Sequence, residues 1–184
     1  MSLASATAPR HYAGAMTPVA IRPATAADLP FLWDMLFESV FITGEERATW
    51  RRDPQPPPEL LRYLDAWGRP GDAGVVAQDA GGVRLGAAWY RLFVTSDRGN
   101  GILAHPNVPE LAMAVEREHR GRGIGGDLLA ALARTAKDDG YEHLMLSVDP
   151  DNVRAVRLYE RVGFTVVDTV DPARGTSMIM ELQL

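Results

Sequence analysis

Apolar and polar positions alternate in recognisable periods along most of this chain. Val19 to Pro23 reads as a short strand. Thr25-Ala-Ala-Asp28 then supplies helix-capping side chains before Leu29, Leu32, Trp33, Leu36, Phe37 and Val40, which recur at three and four and predict an amphipathic helix. Pro30 falls in its first turn, where proline is tolerated. Glu45 to Arg52 predicts a short helix, and Pro54, Pro56, Pro57 and Pro58 stiffen the chain after it. Glu59 to Trp67 predicts another helix, with Leu60, Leu61, Leu64 and Trp67 on one side, ended by Gly68 to Gly74. Strands are expected at Val75–Gln78 and Leu85–Phe93, joined by a hairpin turn at Asp79-Ala-Gly-Gly82. Residues 94–109 read as a loop.

Glu110 to Glu116 is a continuous apolar run, as in a strand buried on both faces. Leu128, Leu129, Leu132 and Ala136 form the stripe of a helix from Ile124 to Asp139, stopped by Gly140. His143 to Val148 predicts a second buried strand, Val153 to Val162 a helix ended by Gly163, and Phe164–Thr169 and Ser177–Leu182 the closing strands. The order β-α-α-β-β-β-α-β-α-β-β implies an α/β domain with a mixed sheet, parallel where helices cross over between residues 110 and 164.

Composition narrows the function classes. The 184 residues suit one domain, with residues 1–18, rich in Ala, Ser and Thr, as a flexible tail and 19–184 as the working unit. There is no cysteine, which excludes thiol nucleophiles, disulfides and cysteine-bound metal. The net charge of −5 argues against a nucleic-acid partner. No apolar stretch is long enough for a membrane span or a secretory signal, so a cytoplasmic location is expected.

The segment carrying most chemistry is Arg117-Glu-His-Arg-Gly-Arg-Gly-Ile-Gly-Gly-Asp. A buried strand ends, Gly121, Gly123, Gly125 and Gly126 crowd together, and a helix begins. Such a turn lets backbone N–H groups converge on an anion, helped by the helix N-terminus and by Arg120 and Arg122. A tight packing turn is the plainest reading. Gly121-x-Gly123-x-x-Gly126, with Asp149 downstream, also fits a dinucleotide fingerprint. It sits badly, because a charged stretch separates the strand from the first glycine and few residues remain for a doubly wound sheet.

Arg120-x-x-Gly123-x-Gly125 resembles the pyrophosphate loop of the GNAT superfamily of acyl-CoA-dependent N-acyltransferases. Leu146-Ser-Val-Asp-Pro-Asp-Asn152-Val-Arg-Ala-Val-Arg-Leu-Tyr159-Glu-Arg-Val-Gly163-Phe164 resembles that family's next motif, and Val19-Ala-Ile-Arg-Pro-Ala-Thr its opening strand. The resemblance covers residues 19–184. It implies a single GNAT-like domain: a mixed six- to seven-stranded sheet flanked by helices, with splayed central parallel strands.

The resemblance further implies acetyl-CoA as co-substrate, with no metal, and direct transfer to an amine. The pyrophosphate would lie against Arg120, Gly121, Arg122, Gly123, Ile124, Gly125 and Gly126. The backbones of Met113 and Val115 would pair with the pantetheine. Asn152 would bond the pantetheine, and Tyr159 would protonate the leaving thiolate. Asn152 and Tyr159 stand two helical turns apart, so they share a face ~10 Å long. Asn152 equally suits a helix N-cap, and Tyr159 a core aromatic. Glu110, at the strand start, is the candidate base that frees the amine of its proton; its plain alternative is a solvated carboxylate. Glu116, His105 and His119 are weaker candidates.

The acceptor, a small-molecule or peptide amine, would meet the first helices and the 165–178 region. Trp33, Phe37, Phe41, Trp50, Tyr63 and Trp67 make that half aromatic, mostly as packing. A non-catalytic acyl-CoA sensor stays open at this point, as does a homodimer.

Overall fold

A computed structural model describes residues 18–40, 58–93, 107–170 and 177–184. The expected tail, the helix at 45–52, most of the proline run, Phe41, Trp50 and His105 lie outside the described residues.

Four strands, β1 (Ala20–Pro23), β2 (Asp72–Gln78), β3 (Arg84–Arg91) and β4 (Glu110–Val115), pair successively antiparallel. The expected hairpin between β2 and β3 is present. Asp79 Oδ1 accepts from Gly81 N and Val83 N, each at 2.9 Å, and Gly82 takes a left-handed φ of +80°. β5 (His143–Val148), β6 (Thr165–Val170) and β7 (Ser177–Gln183) complete a seven-stranded sheet in the order β1-β2-β3-β4-β5-β7-β6.

Helix α1 (Leu29–Ser39) packs on β3 and β4, with a four-residue α2 (Pro58–Leu61) on the chain that returns towards β2. Helix α3 (Ile124–Asp138) packs on β2, β3 and β4, beside α4 (Val153–Val162). Two apolar clusters result. One gathers Leu128, Leu132, Tyr90 and Leu146 beneath α3 and α4; the other gathers Leu32, Leu36, Trp89 and Leu64 beneath α1.

Several sequence expectations need correction. Strand β2 begins at Asp72, ahead of the expected Val75. Gly74 runs inside it because a Cβ there would stand 3.0 Å from Trp89 Cβ and 3.3 Å from Ala24 Cβ. The helix expected over 59–67 stops at Leu61 and gives way to successive turns. The cause is Arg91, whose Nη1 donates to the carbonyls of Arg62 at 2.6 Å and Asp65 at 2.8 Å, acceptors that a longer helix would use internally. The apolar stripe of α1 is also broader than its spacing suggested. Phe31, Leu32, Met35 and Leu36 are buried, whereas Trp33 and Phe37 are half-buried. Finally β7, the last strand, inserts between β5 and β6, so those two run the same way without touching as neighbours.

Candidate active site

β4 and β5 are the parallel pair, and they meet at one register position, Glu110 opposite Met145, where Met145 N donates to Pro109 O at 3.0 Å. At the other end of β4, Glu116 N donates to Leu85 O at 2.9 Å. Peptide groups alternate sides along a strand. Even-numbered residues of β4 therefore face β3, and odd-numbered ones face β5. Since β5 diverges after Met145, the N–H and C=O groups of Met113 and Val115 point into a cleft with no strand opposite. Side chains alternate likewise: Met113 packs beneath α3, whereas Glu110, Ala112 and Ala114 point towards α1.

The cleft has a volume of about 1070 Å³, the upper end for a small-molecule pocket. Its walls include Met113, Val115, Arg120, Gly121, Gly123, Ile124, Gly125, Gly126, Asn152 and Tyr159. Ten of the twelve residues singled out from sequence thus come together, and Arg122 and Glu110 do not.

Glycines make the turn between β4 and α3. Gly121 and Gly123 have φ of +82° and +86°, a conformation costly for residues with a Cβ. Gly123 caps α3 with no side chain involved; Gly126 N donates to Gly123 O at 2.9 Å, so no side-chain cap competes for the N–H groups of Ile124 and Gly125 at the helix start. Gly125 is needed for a different reason: a Cβ there would stand 3.0 Å from Leu158 Cδ2 and 3.4 Å from Met113 Cε. At Gly123 and Gly126 a Cβ would meet nothing within 4 Å, leaving open space over the helix N-terminus.

The cations around this turn are distributed otherwise than the sequence suggested. Arg120 turns inward, Nε to Val115 O at 2.7 Å and Nη2 to Glu38 Oε2 at 3.0 Å. Arg117 Nε also lies 3.5 Å from Glu38. Arg122 stands on the outside, its Nη1 3.0 Å from His119 Nδ1. The other cations on the cleft wall are Arg154, Arg157 and Arg161, a row along α4. Arg154 Nη2 would lie 3.6 Å from a Cβ on Gly121, at the edge of the turn. Their spacing of three and four sets them on one helical face with Leu158, a signal present in the sequence.

Asn152 acts as the N-cap of α4, its Oδ1 accepting from Ala155 N at 3.3 Å. Its amide nitrogen is left for the cleft. Tyr159 is buried, packed edge-on to Phe164 at 5.7 Å between ring centroids. Burial pushes its phenol up to about 12.

Glu110 departs most from its expected setting. It is buried at 3% exposure, where a solvated strand end was the plain expectation. Tyr63 Oη donates a short hydrogen bond to its Oε1, and Arg62 Nη2 lies 3.4 Å from the same Tyr63 oxygen. Burial raises the Glu110 pKa, and the Tyr63 bond and the Arg62 charge pull it back down. The 62–65 turn that carries Tyr63 is fixed by Arg91, which also grips Asp72 through both oxygens at 2.7 and 2.6 Å. Sequence reading missed this group because its members lie far apart in the chain and meet through turns that no periodicity marks.

An open mixed sheet, split between its central parallel strands above a glycine turn, is the architecture of an N-acetyltransferase. The chain belongs to the acetyltransferase (GNAT) family, whose sequence model matches residues 37–164. It is 30% identical to the L-methionine sulfoximine/L-methionine sulfone acetyltransferase of Pseudomonas paraeruginosa over 146 residues, 79% of this chain and 80% of that protein. It is 29% identical to the mycothiol acetyltransferase of Thermobispora bispora over 133 residues, 72% of this chain but only 42% of that longer protein. Its fold matches that of a phosphinothricin acetyltransferase from Sinorhizobium meliloti, solved with acetyl-CoA, at a TM-score of 0.67 and 24% identity over 92% of this chain and 89% of that one.

Proposed function

We propose that the protein transfers an acetyl group from acetyl-CoA to the primary amine of a small, amino-acid-like acceptor, by direct attack in a ternary complex. The observation that carries this reading is the cleft. The peptide groups of Met113 and the N–H of Val115 face one wall with no strand opposite, the uncapped start of α3 lies at one end, and a buried phenol lies on the same cleft from α4. A flexible thioester arm needs an extended backbone to lie against. A pyrophosphate needs convergent N–H groups, supplemented by the guanidinium of Arg154.

In the reaction the amine nitrogen bonds to the acetyl carbon while the carbonyl oxygen becomes an oxyanion. A β4 N–H, that of Val115, donates to it. The C–S bond then breaks, and the thiolate leaves against the Tyr159 hydroxyl. The surplus proton of the amine goes to Glu110. Glu110 does not line the cleft, so the proton would reach it by relay through Tyr63, whose hydroxyl donates to Glu110 and would take a proton in turn from the amine side. Burial makes Glu110 a stronger base than an exposed carboxylate, as this step requires. The small-molecule acceptor is favoured by the methionine sulfoximine and methionine sulfone acetyltransferase, which aligns over most of both chains.

The test is thiol release from acetyl-CoA with L-methionine sulfone, L-methionine sulfoximine, the common L-amino acids, an aminoglycoside and a peptide N-terminus. Turnover greatest on an amino-acid-type amine is expected. Turnover confined to the peptide or aminoglycoside, or acetyl-CoA binding with no turnover on any amine, would refute the reading.

A further inference from the structure

The edge of β4 that faces the cleft carries the N–H and C=O groups of Met113 and of Val115, and no strand lies opposite them. One of these groups is taken. The Val115 carbonyl accepts from Arg120 Nε at 2.7 Å. Satisfying that carbonyl does not by itself require an arginine. Val115 is half-buried on the wall of a cleft, where water would serve as well.

The guanidinium is held from its other edge. Arg120 Nη2 donates to Glu38 Oε2 at 3.0 Å, and Arg117 Nε lies 3.5 Å from the same oxygen. The Glu38 side chain is 4% exposed, near the C-terminal end of α1, on the same cleft wall as Arg120. Burying a carboxylate among guanidinium groups adds little stability, because desolvation offsets the attraction. What it fixes is geometry. A planar guanidinium gripped along one edge by α1 presents its remaining Nε–H to one carbonyl of β4. The charge that a phosphate would need is then already matched by Glu38.

The thioester arm of CoA contains two amides and lies against a strand edge as another strand would. Groups on one edge of a strand recur at every second residue, about 6.7 Å apart. An arm on an edge without a stop pairs equally well one step further along. Such a slip moves the sulfur by about 6.7 Å, beyond the reach of a hydrogen bond from Tyr159. With the Val115 carbonyl occupied, the ladder of open groups ends at the Val115 N–H, and the register shifted towards the glycine turn loses its acceptor.

We propose that Arg120 sets the register of the thioester arm by occupying the Val115 carbonyl, and that Glu38 is the positioning residue that keeps Arg120 there. This rests on the acetyl-CoA reading above and adds to it how the arm is placed along β4.

The test separates the arm from the nucleotide, using 3′-phospho-ADP as the nucleotide end of CoA without its arm. In Arg120→Met and Glu38→Ala, kcat with an amine that the wild type acetylates should fall by roughly ten- to hundredfold, the size of one hydrogen bond from a charged group. The affinity for 3′-phospho-ADP, measured by calorimetry, should not fall by more than about twofold. Glu38→Gln, whose amide oxygen still accepts from Arg120, should recover most of the loss in kcat. If the methionine variant does not fold, Arg120→Lys decides the matter: it keeps a cation near the phosphates without the double grip, and its kcat should still fall. A structure of the wild type with CoA reads the register without turnover, and should keep Arg120 on the Val115 carbonyl with the arm amides on Met113 and the Val115 N–H. Nucleotide affinity that falls in step with kcat would mark Arg120 as a phosphate ligand and overturn the inference. So would a kcat within about twofold of wild type in the arginine variant, or an arm amide bonded to the Val115 carbonyl in the complex. Failure to bind CoA, or to acetylate any amine, would instead refute the acetyltransfer reading.

Discussion

Replacing Tyr159 by Phe isolates what a buried phenol contributes to thiolate departure. The ring is retained, with its 5.7 Å edge contact to Phe164, and no hydrogen bond to the hydroxyl is lost among the described residues. Stability should therefore change by less than ~0.5 kcal/mol, a Tm shift of ~2 °C at most for a domain of this size. The catalytic effect follows from the phenol's pKa of about 12. An ordinary thiol has a pKa of ~8.5, so complete proton transfer from this phenol to such a thiolate climbs ~3.5 units, or ~5 kcal/mol. Donation of a hydrogen bond to the developing thiolate involves no such climb and is worth ~1.5–3 kcal/mol towards a charged acceptor.

The expected loss in kcat for Tyr159→Phe is thus about 10- to 150-fold at ~1.4 kcal/mol per decade. The assay is steady-state thiol release with any amine the wild type acetylates, together with acetyl-CoA affinity by calorimetry, which should stay within about twofold. The raised pKa keeps the phenol protonated at any pH well below about 12. Tyr159 should accordingly add no alkaline limb to the pH–rate profile between about pH 6 and 10, in wild type or variant. A kcat within twofold of wild type would remove Tyr159 from the reaction. A loss beyond about a thousandfold would refute the hydrogen-bond argument and restore full proton donation in the transition state.

Two further perturbations test the frame around the site. Arg91→Met leaves the buried Asp72 carboxylate unpaired, with both side chains at 1% exposure. Breaking such a pair costs ~3–5 kcal/mol, so thermal melting should fall by roughly 6–20 °C, with loss of the clamp on the 62–65 turn. Asp28 accepts from both Arg22 Nη groups and from Thr25, which holds its carboxyl well below the usual range. The folded pKa lies below the unfolded one, so the stabilisation is present above about pH 4 and lost as pH falls through the folded value. Asp28→Asn should cost about 1–2 kcal/mol at neutral pH by denaturant titration, and the difference from wild type should shrink as the pH drops below 4.

The periodic part of the chain was legible because periodicity is a local consequence of which face is buried. Leu128, Leu129, Leu132 and Ala136 are all buried on α3 as their spacing implies, and four of the six residues of β4 are buried, with Ala112 and Val115 partly so. The glycine turn was legible too, since left-handed φ values and close packing both demand glycine. What stayed hidden depends on partners distant in sequence. Nothing in the spacing of α1 marks Glu38, yet its side chain is 4% exposed and meets Arg117 and Arg120 from beyond β4. Of the two readings of Glu110, candidate base or solvated strand end, the second fails because Tyr63 covers it from a turn that Arg91 holds through two carbonyls. Periodicity carries no information about which arginine meets which carboxylate across 47 or 82 residues.

The inward turn of Arg120 changes the polarity of the cleft as well as its charge. A strand with no neighbour offers donors and acceptors in equal number, and an acceptor carbonyl repels a developing oxyanion. Arg120 Nε covers the carbonyl of Val115 at 2.7 Å, while Glu38 holds the same guanidinium from α1. The Val115 N–H is left without a strand partner, so this end of the exposed edge is biased towards donation. The bias comes from a charge pair rooted in the helix on the opposite face of the sheet. Removing Glu38 would therefore act on the cleft through Arg120: the guanidinium would lose its contact with Glu38, and the Val115 carbonyl would be less firmly held. On the proposed acetyltransfer reading, an arginine that the sequence offered as a phosphate ligand would be the group that biases this edge of β4 towards accepting negative charge.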